Sequence, residues 1–126
     1  MRAVDTNLLV RVITRDEPAQ VAAADEFVEK GGWVSVLALV EATWVLSAVY
    51  ERSPRDIANA IEMLLHHRSL TLQDPDVVTA ALSSFRKRPA LGFSDCMLLE
   101  VARKAGHLPL GTFDRALGKL EGAQAL

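Results

Sequence analysis

Cysteine is nearly absent: Cys96 is the one thiol in 126 residues. No internal disulfide can form, and a reducing cytosol is the natural setting, so a cytoplasmic location is expected. Beside Asp95, Cys96 reads as a small buried residue rather than a nucleophile. No histidine lies near it in sequence, and a neighbouring carboxylate raises a thiol's pKa. There is no excess of positive charge either. A net charge of -2 and a pI of about 5.9 argue against bulk electrostatic binding of nucleic acid, while leaving room for a local basic strip. No secretory signal is expected, because Asp5 and Arg11 interrupt any apolar stretch near the start. The longest apolar run, Trp33–Tyr50, carries Glu41 near its midpoint, where a charge is expensive in lipid, so no membrane span is expected. Internal repeats, low-complexity segments and interdomain linkers are missing as well.

What remains is an ordinary globular composition, 50% apolar and 24% charged, long enough to bury a core. One domain over residues 1–126 is expected. Short β-like runs alternate with helical patterns. Arg2–Asp5 reads as a first strand, followed by helical spacing through Leu8, Leu9, Val12 and Ile13. Asp16-Glu17-Pro18 opens a helix that Gly31-Gly32 closes. Trp33–Val36 is a second strand, and a helix over about Ala38–Tyr50 carries Glu41, Trp44, Val45 and Ala48 on one side. Ser53 caps the next helix, with Ile57, Ile61, Leu64 and Leu65 inward; Ser69–Leu72 is a brief strand, and Asp74-Pro75 opens another helix. Arg86–Phe93 is a loop, Ser94 an N-cap, and Gly106 a stop. His107–Gly111 is a strand, Asp114–Lys119 a helical turn, and Ala123–Leu126 a last edge strand. This alternation predicts an α/β protein with a parallel sheet covered on both faces.

In such sheets function gathers at the carboxyl ends of the strands. Asp5 closes the first strand, Asp114 follows a later one, Glu41 lies a turn beyond the second, and Asp95 sits in the first turn of a helix. All four acids are therefore expected at one edge. Carboxylates crowded together raise one another's pKa and call for a cation. Hard oxygen donors suit Mg2+, with Mn2+ as a substitute, and such ions activate a water in phosphodiester cleavage. Thr6, Asn7 and Thr112 flank Asp5 and Asp114 and are placed to orient carboxylates or water, or to serve as turn and cap residues. Each acid has a structural reading too: Asp5, Asp95 and Asp114 as helix caps, Glu41 as a capping or arginine-paired glutamate. Caps alone do not account for a glutamate among Leu39, Val40 and Trp44.

The segments VDTNLLV, LVEATWVL, GFSDCMLLEVARKAG and TFDRALGKL resemble the PIN-domain ribonucleases, and within them the VapC-type toxins of type II toxin–antitoxin systems. The likeness covers nearly the whole chain, apart from residues 53–88, which carry no family signature. It implies a three-layer α/β/α sandwich around a central parallel sheet and a Mg2+-dependent endoribonuclease that cleaves RNA, with tRNA or rRNA as common targets. It also implies a homodimer and a cognate antitoxin protein that blocks the site. By the same likeness Asp5 and Asp95 are the principal metal ligands, with Glu41 and Asp114 completing the site.

Arg86, Lys87, Arg88 and Arg115 are candidates for RNA-backbone contacts, against a reading as solvated surface. His66, His67 and His107 lack metal-ligand spacing and read as surface or capping residues. Trp33 and Trp44, lying within apolar segments, are expected in the core or in a dimer interface. Two rivals remain. Another Mg2+-dependent phosphohydrolase with an aspartyl nucleophile wants a second acid where Asn7 stands. A non-catalytic PIN-like binding module would use the acids only as caps.

Overall fold

The computed structural model describes residues Met1–Leu126, which divide into two compact units, Met1–Pro75 and Asp76–Leu126. The first unit is built on three short strands, β1 (Arg2–Ala3), β2 (Gly32–Val34) and β3 (Leu70–Leu72), paired parallel in the order β1-β2-β3. Ala3 stands opposite Trp33, and Trp33 opposite Thr71. Parallel pairing forces helical crossovers, and four helices supply them. They are α1 (Thr6–Thr14), α2 (Pro18–Glu29), α3 (Val36–Ala48) and α4 (Pro54–Leu65).

Each helix start has a local cause. Asp5 caps α1 by accepting from the Leu8 amide at 2.9 Å. Ser35 caps α3 and Ser53 caps α4 in the same way, and Pro18 and Pro54 occupy first turns where no amide donor is needed. Gln73, just past β3, adds a second cap on α3: its Oε1 accepts from the Val36 amide at 2.8 Å. The core of the unit holds Leu9, Val34, Leu39, Ala42, Leu46, Ile61 and Leu64, each almost wholly shielded from solvent. Burying a side chain of that size contributes about 1.5–3 kcal/mol. A polar staple closes the rim. Arg11 donates to Gln20 and to the Tyr50 hydroxyl, and Tyr50 in turn donates to Asp16. The Asp16 carboxyl is thereby held below its ordinary pKa, chiefly by the Thr14 and Tyr50 hydroxyls.

The second unit contains α5 from its second residue (Pro75–Lys87), a 3-10 turn at Pro89–Leu91, α6 (Phe93–Ala105), and the parallel pair β4 (Leu110–Thr112) and β5 (Ala123–Ala125). On α5 the expected face is the buried one: Val77, Val78, Ala81, Leu82 and Phe85. Phe85 meets Phe93 of α6 edge to face, centroids 6.0 Å apart. The expected cap at Ser94 does not form. The cap lies two residues earlier, at Gly92, and α6 begins at Phe93, because Gly92 turns the chain at a φ of 79° that a side chain would strain. A 3-10 turn at Leu117–Lys119 lies in the crossover between β4 and β5, with Leu117 buried beneath it.

Six helices and exclusively parallel strand pairs make this an α/β protein, with the pairing divided between a three-stranded and a two-stranded sheet. No helix is long and apolar enough to cross a membrane.

Candidate functional site

In the first unit the acids Asp5 and Glu41 come from α1 and α3, which pack against each other. Asp5 leaves β1 in extended conformation (φ −91°, ψ 175°) and commits Oδ1 to the Leu8 amide. A carboxylate has about four acceptor sites, so this cap leaves the second oxygen available. Asp5 is exposed. Its neighbour Thr6 donates from Oγ1 to Glu41 Oε2 at 2.8 Å, tying the middle of α3 to the first residue of α1. The Thr6 hydroxyl is thus bonded to the Glu41 carboxylate. Asn7 is exposed and lines a cleft of about 380 Å³ with Leu8, Arg11 and Gln20.

Glu41 is not embedded in apolar surroundings. Helix α3 buries Ala38, Leu39, Ala42, Thr43 and Leu46, which leaves Leu37, Glu41 and Trp44 on the opposite, solvent-facing side. Trp44 is 66% exposed, so it is not a core residue, and Trp33 is only partly covered. The glutamate thus needs no buried partner to be tolerated, and what fixes it is the Thr6 hydroxyl.

In the second unit Asp95 and Asp114 form the other acidic pair. Asp95 is half-buried in the first turn of α6, and its pKa is raised, first by burial and then by the negative charge of Asp114. Asp114 is exposed and accepts from the Leu117 amide at 2.8 Å, capping the 3-10 turn with Oδ1. Thr112 Oγ1 accepts from the Asp114 amide at 3.0 Å, so it shapes the turn and does not grip a carboxylate. Next to Asp95, the Cys96 thiol is buried and pushed up to about 11, by desolvation first and then by Asp95 and Glu100. A nucleophilic role is excluded at neutral pH.

No lysine or arginine salt bridge ties up any of the four acids. Nor do three or more His, Cys, Asp or Glu side chains stand grouped as a ready-made metal cage. The donors available within each unit are a pair of carboxylates, one oxygen in each aspartate cap already engaged. Arg86 and Lys87 are exposed in the last turn of α5, with Arg88 after it, and Arg115 is exposed directly after Asp114. Sequence reasoning missed Gln73 and Tyr50, whose bonds reach 37 and 34 residues along the chain and leave no local pattern to read.

A family model described as PIN domain matches residues 2–123. No curated protein and no solved structure matches the chain.

Proposed function

This chain belongs to the PIN-domain family, and on that premise we propose that it is a Mg2+-dependent endoribonuclease, the toxin of a toxin–antitoxin pair. PIN domains are generally metal-dependent nucleases, which supports the coarser half of this reading. Asp5, Glu41, Asp95 and Asp114 are assigned as the residues that hold the cation, with Thr6 fixing Glu41 for it. The donor chemistry fits: all four offer oxygen, none is neutralised by a basic residue, and burial, then Asp114, disfavours the charge on Asp95. The family match over residues 2–123, joined to four carboxylates that no basic side chain neutralises, carries the proposal. When bound, the ion supplies Lewis acidity toward the scissile phosphate and lowers the pKa of a water. Arg86, Lys87, Arg88 and Arg115 are proposed to contact the RNA backbone. RNA, with tRNA or rRNA as target, a cognate antitoxin and a second copy of the chain are the partners proposed.

The cap bonds of Asp5 and Asp114 also suit a non-catalytic module, and activity separates the two. Wild type, Asp5→Asn and Asp95→Asn are incubated with total RNA and Mg2+ or Mn2+, each with an EDTA control. Cleavage by wild type alone, lost in EDTA, is expected. Equal RNA integrity in all samples, with no rise in melting temperature on adding Mn2+, refutes the nuclease. Induced expression that stops growth for wild type and not for Asp5→Asn is the corresponding test of the toxin assignment.

A further inference from the structure

The amino-terminal edge of the three-stranded sheet, opposite the strand end that bears Asp5, carries a cleft of about 610 Å³ lined by Glu29, Met63, His66, His67, Arg68 and Ser69. 

The side chains around the cleft are mostly donors. His67 Nδ1 accepts from the Ser69 amide at 3.1 Å, which places the ring hydrogen of the neutral imidazole on Nε2. His67 therefore offers an N–H donor without needing to be charged. His66 Nδ1 faces the Glu62 carbonyl at 2.9 Å, and a carbonyl only accepts, so that nitrogen carries its hydrogen. Arg68 is exposed, and no carboxylate pairs with it. The opposing charges belong to α2: Glu29 on the cleft wall, and Asp25, which feels the field of His67 but is bridged to Arg15 at 2.7 Å.

A metal is a poor match for this place, since no three ligating side chains are grouped there and Arg68 would repel it. An oxyanion matches better: a planar guanidinium, an imidazole N–H and the Ser69 hydroxyl are the donors that recognise phosphate oxygens. We propose that the cleft lined by His67, Arg68 and Ser69 is a phosphate-binding subsite, separate from the acidic residues. It stands whether or not the chain cleaves RNA.

The test is an amide-resolved NMR titration of the full chain with inorganic phosphate, ionic strength held constant with chloride and EDTA present. Saturable shifts confined to residues 66–69 and Glu29 are expected, with apparent affinity falling about tenfold or more in Arg68→Ala, as loss of a charge-assisted bond implies. Arg68 is exposed, so that variant keeps its fold. A short RNA lacking terminal phosphate identifies the source. Shifts of the same amides by RNA assign the subsite to the nucleic-acid backbone, and shifts by inorganic phosphate alone assign it to a free anion. Shifts that do not saturate, that chloride reproduces, or that persist unchanged in Arg68→Ala overturn the proposal.

Discussion

Thr6 Oγ1 donates to Glu41 Oε2 at 2.8 Å, joining two residues 35 positions apart in the sequence. It is the one bond in the first unit that reaches the Glu41 carboxylate, and it starts from the residue next to Asp5. Thr6→Val keeps the shape and removes the donor. The expected result is a loss of about tenfold in RNA cleavage, the value of one such bond, with unchanged circular dichroism. Thr6→Ser restores most of the rate, and Thr6→Val adds nothing further in a Glu41→Ala background. An additive loss in that double variant would disconnect Thr6 from Glu41.

Asp95 gives a pH signature. Burial and then Asp114 raise its pKa above the unfolded value, so the folded state disfavours its charge. Below the unfolded pKa the carboxyl is neutral in both states and imposes no penalty. As pH rises through the unfolded and then the folded pKa, stability falls, and the penalty persists above both. Asp95→Asn should therefore melt higher than wild type near pH 7 in EDTA, by less than about 1 kcal/mol after solvent screening. The gap should close near about pH 3, below the usual carboxylate range. An equal gap at both pH values, measured by calorimetry, would remove the electrostatic explanation.

The Cys96 thiol, pushed up to about 11, is only about one part in a thousand thiolate near pH 8, and it is buried. A thiol-specific chromogenic reagent should leave the native protein unmodified and take up one equivalent once denaturant is added. Rapid labelling of the native protein would contradict this burial.

Gly118 has no room for a side chain: a Cβ there would lie 2.6 Å from Ala125 Cβ and 3.1 Å from Ala125 Cα. Gly118→Ala should destabilise the protein by about 1–3 kcal/mol, read from the urea midpoint. Gly111→Ala is the control, since its Cβ would meet only the end of Leu126 at 3.6 Å. Equal midpoints for the two variants would show that β5 yields easily.

Helix starts were legible because their causes are local: Ser53, Pro18 and Pro54 announce themselves, and Gly106 stops α6 in the left-handed conformation. The α5 face was legible for the same reason, since its apolar residues recur at helical spacing. The orientation of α3 was not. It is apolar nearly all round, so periodicity could not distinguish the side of Ala38 and Leu46 from the side of Leu37 and Trp44. Glu41 consequently read as embedded when it is exposed. The strands are only two or three residues long, and their partners are chosen by tertiary contacts, so the division into two sheets left no mark in the pattern. For the acids, positions at strand ends and helix starts were readable, whereas the cap bonds of Asp5 and Asp114 and the hold of Thr6 on Glu41 required coordinates.

The division at Pro75 has a temporal consequence. Everything that fixes Thr6 against Glu41 lies within Met1–Pro75, whereas Asp95 and Asp114 are translated afterwards. A ribosome-bound nascent chain therefore carries half of the proposed ligand set until its final third emerges. On the proposed reading, a hydrolase that harms its own cell stays inert throughout most of its own synthesis.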